Sequence, residues 1–196
     1  MTGAPNPADR SIRDRVLDGL AASIRERGYA LTRVGDIVRY ANTSRRTLYE
    51  TFATKDDCFA ALLDSIGEQV CRHIKSAIDT TAPRAVQMRQ AVAGLIEFIA
   101  AEPELSRSWA RDMAVAGSSA AHARRRCINR IADALLSLGG PEAREPQSAS
   151  SARRDTAVML VSGICELTVW VIEDGDDVAA TTEAAVQAAV NMLGDS

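Results

Sequence analysis

Hydrophobic residues recur every three or four positions through most of the chain, which is typical of amphipathic helices. The clearest stripe repeats every fourth residue from Ile12 to Ile24, within a helix expected over residues 7–27 with Asn6 as its N-cap. β-branched residues occur singly inside such patterns, and no alternating run indicates a strand. The pattern predicts an all-α protein of about nine helices.

Two short helices joined by a tight turn are predicted next, over residues 33–40 and 44–52. Thr32 is the expected N-cap of the first. Asn42 lies in the turn, where we expect a positive φ, because asparagine tolerates that conformation better than other non-glycine residues. A long helix is expected from Thr54 to about residue 78, since Thr54 and Asp57 have the spacing of a capping box. The short pair predicts a helix-turn-helix, whose second helix enters the DNA major groove.

The residues from Thr47 to Asp56, read as TLYETFATKD, resemble the signature of TetR-family transcriptional regulators. The resemblance covers roughly residues 10–63 and departs from the usual glycine and small apolar residue of the turn at Asn42 and Thr43. It implies a three-helix DNA-binding domain over residues 1–60. It also implies a helical effector-binding and dimerisation domain over residues 61–196, with the long helix from Thr54 as the connector.

The resemblance also implies which side chains meet DNA. Tyr49 and Lys55 match positions that contact phosphates, and Arg45, Arg46 and Thr47 match the more variable base-reading positions. Further phosphate donors are expected near helix N-termini, where exposed N–H groups favour anions. These are Thr32, Arg33, Thr43 and Ser44. The alternative for all of these residues is an ordinary solvated helix surface.

Charge supports DNA binding only through its distribution. The net charge is −3, but residues 1–60 hold ten Lys or Arg against eight Asp or Glu, whereas residues 61–196 hold thirteen against eighteen. The small basic excess of the N-terminal part means that phosphate binding must depend on a few placed groups and on a dimer.

The resemblance implies an effector pocket, because the family normally holds a ligand cavity among the middle helices. Glu97 and Glu166 stand alone in apolar stretches, so each is a candidate counter-ion for a cationic ligand, unless it pairs with arginine or lies exposed. The apolar candidates have core packing as their alternative. The full predicted lining is Met88, Glu97, Trp109, Met113, Glu166 and Trp170.

The last two helices, expected over residues 152–173 and 178–193 after a loop at 139–151, are the most apolar of the chain. A four-helix bundle formed by two copies of this pair would bury both helices. The predicted contacts of this homodimer are at Ser162, Gly163, Ala185 and Ala189.

No enzyme class is supported by the sequence, because it shows no catalytic set, no metal-ligand spacing and no glycine-rich phosphate loop. We therefore expect no catalytic residue, metal or cofactor, and four reduced cysteines. No signal peptide or transmembrane run is evident, which predicts a cytoplasmic protein without a membrane partner. The leading hypothesis is a homodimeric repressor that a small, largely apolar effector releases from double-stranded operator DNA. The alternative is a helical interaction protein whose head has lost or weakened DNA binding.

Overall fold

The computed structural model of the protein describes residues 11–139 and 147–193. Nine α-helices and no strand occur in these ranges, which confirms the predicted all-α class. Short 3₁₀ turns follow the sixth and seventh helices, at Asp112–Ala114 and Ser137–Gly139. The helices are α1 (Ile12–Leu31), α2 (Val34–Tyr40), α3 (Arg45–Thr51), α4 (Lys55–Ala77), α5 (Arg84–Ala101), α6 (Pro103–Arg111), α7 (Gly117–Leu136), α8 (Gln147–Asp174) and α9 (Val178–Leu193).

Helices α1 to α3 form a compact head around the apolar stripe of α1. Ile37 of α2 and Leu48 of α3 are fully buried against this stripe. Gly19 allows the close approach of α1 and α2, because a Cβ atom there would lie 2.6 Å from the carbonyl oxygen of Ile37. The side of α1 that faces the two short helices is therefore determined by both its apolar residues and this glycine.

The turns of the head follow the local sequence closely. Asn42 has φ of 47° and is the only non-glycine residue with positive φ in the described part of the chain, as predicted. The hydroxyl of Thr54 accepts a hydrogen bond from the backbone N–H of Asp57 at 3.0 Å, so the predicted cap of α4 is confirmed. The predicted cap of α1 at Asn6 lies outside the described residues.

Thr32 does not cap α2, in contrast to the prediction. Arg33 occupies the N-cap position of α2. Thr32 is buried at the end of α1, where its hydroxyl donates to the carbonyl oxygen of Gly28 at 2.7 Å and lies 3.0 Å from the Ser23 hydroxyl. Gly28 has φ of 75°, which interrupts regular helix geometry and brings Thr32 back onto α1.

Helix α4 connects the head to the remaining helices, which form the body. Phe59 and Leu63 of α4 belong to the buried core of the head, and Val70 and Ile74 belong to that of the body. The start of α7 also joins the head core, through alanines that permit close approach. These alanines are Ala116, Ala120 and Ala123. The start of α7 thus packs on the part of α4 that belongs to the head core.

Helices α8 and α9 differ from prediction at two points. Helix α8 begins at Gln147, so residues 147–151 of the predicted loop are helical, which alanine favours and serine tolerates. Residues 140–146 of that loop lie outside the described residues. Ala185 and Ala189 are buried in the body core of their own subunit, where α9 packs on α5 and α8. These two small residues therefore serve packing within the subunit, not the predicted dimer contact.

Candidate DNA-binding surface and ligand cavity

Helix α3 is held to the head on one side and exposed on the other. Leu48 is its buried anchor, whereas the side chain of Arg46 is 87% exposed and Tyr49 is 53% exposed. Ser44 caps the helix, because its hydroxyl accepts a hydrogen bond from the Thr47 N–H at 3.1 Å. The two hydroxyls of Ser44 and Thr47 are also 2.9 Å apart. The exposed side of α3 is thus rigidly presented at the protein surface.

Arginine and tyrosine dominate this exposed side. Arg45 is exposed, and Arg46 forms an ion pair with Glu50 one turn later, with Nε 2.8 Å from Oε1. Arg33, at the start of α2, is also exposed, and Thr43 is half-buried in the turn. Guanidinium groups and phenol hydroxyls can both donate hydrogen bonds to phosphate or to base edges.

Two of the predicted contact residues are engaged inside the head. The hydroxyl of Thr32 is buried and satisfied within α1. The ammonium group of Lys55 donates to the carbonyl oxygens of Thr32 at 3.1 Å and Tyr29 at 3.4 Å, and it lies 4.0 Å from the Tyr29 ring centroid. Thr32 is thereby corrected as a surface donor. Lys55 satisfies carbonyl groups at the end of α1 by hydrogen bonding, a role that its sequence position did not indicate.

A cavity of about 540 Å³ lies between α1 of the head, the connecting helix α4 and helices α5 to α8 of the body. Apolar residues from six helices form most of its wall, and six polar residues complete it. The main apolar residues are Leu17, Leu62, Ile66, Leu95, Trp109, Ile131 and Val169. The polar residues are Asp18, Arg25, Ser65, Gln69, Glu102 and Ser106. Its size and apolar wall are those of a small-molecule site.

Direct polar contacts join the head and the body beside this cavity. Arg25 of α1 donates two hydrogen bonds to the carboxylate of Glu102, both at 2.8 Å. This hydrogen bond lowers the pKa of Glu102 despite its partial burial. The Tyr29 N–H lies 3.1 Å from the Ser108 hydroxyl oxygen and 3.2 Å from an Asp112 carboxylate oxygen. The end of α1 is therefore fastened to α6 and to the segment that precedes it.

The tyrosine at this junction also reaches the start of α4. Its ring stacks on Phe59, with ring centroids 4.0 Å apart. Its hydroxyl donates to the carboxylate of Asp56. Burial, followed by this hydrogen bond, raises the pKa of Tyr29 well above its ordinary value, so the phenol stays protonated at neutral pH. Tyr29 thus connects α1 to α4 through its side chain and to α6 through its backbone N–H.

Among the six predicted pocket residues, the structure places Trp109 in the cavity wall. Met88 is buried in the body core, and Met113 packs against the head core. Both face other sides of their helices, because the helical repeat alone does not tell which apolar position meets a void and which meets a neighbour. These two residues are therefore corrected from pocket lining to core packing.

The remaining three predicted pocket residues lie towards solvent. Glu97 is exposed, and Trp170 is 51% exposed. The carboxylate of Glu166 accepts hydrogen bonds from Arg111 and from the indole N–H of Trp170, the latter at 2.9 Å. Neither carboxylate faces the cavity, so the expected counter-ion for a cationic ligand is corrected as well.

Two cysteines in the cavity wall were not foreseen as lining residues. Cys127 of α7 and Cys165 of α8 are both buried and both line the cavity. Burial raises the pKa of each thiol to about 12, which keeps it protonated and unreactive at neutral pH. Their positions in apolar helical patterns predicted burial, and only the packing of α7 against α8 placed them beside a void.

A helix-turn-helix head with exposed arginines, joined to a helical body with a cavity, is an architecture typical of transcription regulators. Residues 16–62 match the sequence model of the family described as "Bacterial regulatory proteins, tetR family". No curated protein sequence matches the chain.

Solved structures share the fold of the whole described chain. A TetR transcriptional regulator from Rhodococcus sp. RHA1 is 14% identical with a TM-score of 0.70, over 93% of this chain and 96% of that one. The transcriptional regulator FadR from Bacillus subtilis in complex with stearoyl-CoA is 16% identical with a TM-score of 0.70, over 93% and 99%. The fatty acid degradation regulator FadR from Bacillus halodurans is 18% identical with a TM-score of 0.70, over 96% of both chains. Residues 16–62 thus match the TetR family model, in agreement with the resemblance of the sequence signature, and the chain shares the fold of these solved regulators.

Proposed function

We propose that the protein is a homodimeric repressor that leaves its operator DNA when a small, largely apolar effector enters the cavity. The observation that carries this proposal is that one wall of the cavity belongs to α1 of the head. A ligand there contacts both the DNA-binding unit and the body. Binding can thus change the position of the head directly.

DNA binding is proposed for the exposed side of α3 and its surroundings. Arg45, Arg46 and Tyr49 are exposed there, and Leu48 fixes the helix from behind. We assign base reading to Arg45, Arg46 and Thr47, and phosphate contact to Arg33, Thr43, Ser44 and Tyr49. Lys55 acts mainly by holding the end of α1, and any phosphate contact it makes competes with its two carbonyl partners.

The dimer is proposed to form through α8. Its outer side exposes Met159 and Trp170, at 62% and 51%, together with Leu167. Gly163 lies on the same side, and no atom lies within 4 Å of the position of its missing Cβ. Ser162 is half-buried beside it. A second copy of α8 would cover these residues, and Gly163 would allow a close approach.

The same helix is also long and apolar enough, over Ser151–Asp174, to span a membrane by length and composition alone. Its contacts favour a protein interface instead. Arg111 of α6 pairs with both Glu166 and Glu173 of α8, and α8 packs along α5, α7 and α9. We therefore propose a cytoplasmic dimer without a membrane partner, in which residues 1–60 bind DNA and residues 61–196 bind the effector and the partner.

Effector release would act through the contacts between α1 and α6. A ligand that enlarges the cavity separates these helices and strains the bonds from Arg25 to Glu102 and from Tyr29 to Ser108. Two heads of a dimer must match major grooves about 34 Å apart, so a small rotation of each head is enough to weaken operator binding. Linkage requires that DNA weaken effector binding by the same factor.

Filling the cavity tests this mechanism without knowledge of the effector. Ile66 is half-buried in α4 and lines the cavity, so Ile66→Trp places an indole in the void. We expect weaker binding to DNA fragments that carry the operator, measured by fluorescence anisotropy. The matched control is Val86→Trp, at an exposed apolar position of α5 outside the cavity. Wild-type DNA affinity for Ile66→Trp, in a variant that folds normally by circular dichroism, would show that the cavity does not control the head.

The engagement of Thr32 and Lys55 inside the head gives specific support to the second candidate, an interaction protein with weakened DNA binding. One measurement distinguishes the repressor from the interaction protein. Selection of binding sequences from a random duplex library should enrich a palindromic site if the protein is a repressor. A library without enrichment at low salt would favour the interaction protein.

A further inference from the structure

Arg124 of α7 is a half-buried cation without an acidic partner among the described residues. In the described part of the body, Arg111 pairs with Glu173, and Arg126 and Arg154 pair with aspartates. The guanidinium of Arg124 instead lies over the ring of Trp109, 4.4 Å from its centroid. Its Nε atom is buried and has no hydrogen-bond partner among the described residues. A buried donor of this kind is costly unless another molecule satisfies it.

Arg124 lies next to three residues of the cavity wall. Cys127 and Ile131 line the cavity one and two helical turns further along α7, on the same side of the helix as Arg124. Trp109, on which Arg124 stacks, is a third lining residue. The guanidinium also lies near enough to the Cys165 thiol to act on its pKa, although burial dominates there and raises it to about 12. Arg124 therefore lies outside the wall itself and stacks from the α7 side on Trp109, which is part of the wall.

We propose that Arg124 binds the acid group of the effector, and that the effector is an apolar molecule with a single carboxylate. This inference rests on the proposed effector cavity and names the chemical class of its ligand. A guanidinium presents a planar set of donors that matches a carboxylate, and stacking on Trp109 fixes its plane. The apolar part of the ligand lies along Leu95, Ile131 and Val169, which line the same cavity.

Arg25, the arginine that lines the cavity, is already engaged. Arg25 already holds Glu102 through two hydrogen bonds at 2.8 Å. Asp18 lines the same part of the wall, and its negative charge would repel an incoming carboxylate. Since Glu97 is exposed and Glu166 is engaged by Arg111, the two carboxylates considered for a cationic ligand do not serve the cavity. The charges around the cavity thus favour an acid bound at Arg124.

Three molecules with the same apolar chain test the proposal: dodecanoate, dodecanol and dodecylamine. Trp109 and Trp170 are the two tryptophans of the chain, so the variant Trp170→Phe makes the cavity residue the sole indole fluorophore. We expect dodecanoate to quench or shift this emission and to bind at least about tenfold more tightly than dodecanol, as a hydrogen-bonded ion pair requires. Equal affinity for the acid and the alcohol, or tighter binding of the amine, would overturn the proposal.

Substitutions in the same background locate the acid group. Arg124→Gln should weaken dodecanoate binding about tenfold and leave dodecanol binding within about twofold, because only the charged contact is lost. Arg125→Gln is the matched control, since Arg125 is adjacent but exposed, and it should change neither affinity. Loss of dodecanol binding in Arg124→Gln would mean that Arg124 only supports the wall. Loss of dodecanoate binding in Arg25→Gln but not in Arg124→Gln would place the acid at Arg25.

A parallel DNA assay separates this proposal from the proposed function. If the protein binds an operator and a neutral or cationic molecule releases it, the repressor stands and the role of Arg124 is wrong. If dodecanoate binds in an Arg124-dependent manner but no DNA sequence is bound, the acid site stands and the repressor fails.

Discussion

Helices α3 and α8 both expose large side chains, but of opposite chemical character. On α3 the exposed residues are Arg45, Arg46 and Tyr49, which are polar and rich in hydrogen-bond donors. On α8 they include Met159 and Trp170, which are mainly apolar. The first surface suits phosphate and base edges, and the second suits another apolar protein surface. We therefore expect DNA to bind at α3 and an apolar protein surface to bind at α8.

The two surfaces also differ in how they are supported. Helix α3 has only seven residues, and its position depends on Leu48, the Ser44 cap and the turn at Asn42. Helix α8 has 28 residues and packs along the body core. A substitution on the exposed side of α8 can thus disrupt the contact with a partner without changing the fold. Helix α3, in contrast, tolerates substitution only on its exposed side.

The largest expected effect is loss of the dimer in Gly163→Arg. The space beside Gly163 is open within the subunit, so the arginine fits the isolated chain and clashes only with a partner. We expect a monomer in analytical ultracentrifugation and operator affinity lower by about a hundredfold, because the two heads no longer bind together. Val86→Arg, an exposed apolar site on α5, is the control and should remain dimeric. A dimeric Gly163→Arg protein with normal operator affinity would exclude this side of α8.

The next effect concerns sequence preference. Arg46→Ala should reduce the discrimination between the operator and altered sites by about 1–3 kcal/mol, as expected for one lost contact to a base. The control Glu50→Gln removes only the ion pair at 2.8 Å and should keep the preference. Competition binding with single-base variants measures both. Preference that survives Arg46→Ala would move base reading away from this residue.

A smaller effect is expected for Tyr49→Phe, which removes one hydroxyl from the exposed side of α3. Affinity for all DNA sequences should fall by about 1 kcal/mol, since a phosphate contact positions the protein without reading sequence. Titrations on operator and random duplexes at several salt concentrations test this. A change confined to the operator would instead make Tyr49 a base-reading residue.

The smallest effect is expected between the two regions, at the ion pair of Arg25 and Glu102. Because both side chains are more than one third exposed, Glu102→Gln should lower stability by only about 0.5 kcal/mol at neutral pH. Glu102 has a lowered pKa in the folded protein, so this contribution is present above its unfolded pKa and is lost as pH falls through the folded value. Urea unfolding of both proteins should therefore differ at pH 7 and converge below about pH 4. A difference that persists at low pH would point to packing rather than charge.

Local sequence determined the fold class and the detailed geometry of the head. The periodicity gave the helices, and Asn42 and Thr54 fixed the turn and the cap, because each of these depends on residues within a few positions. The signature around Tyr49 predicted the match of residues 16–62 to the TetR family model for the same reason. Thr32 was misassigned because the break at Gly28 returned its hydroxyl to α1, three-dimensional information that a capping pattern lacks.

Tertiary packing decided the cavity and the role of each residue in the body. An apolar position one turn away from another can meet a void, a core or solvent, as Trp109, Met88 and Trp170 do. The alanines of α9 were predicted to face a second subunit and instead pack within their own, because small residues permit close approach to any helix. Likewise, one of several neighbouring arginines, Arg124, stacks beside the cavity, whereas Arg125 is exposed. The sequence determined which residues are apolar or charged, but only the arrangement of six helices determined which of them share a cavity.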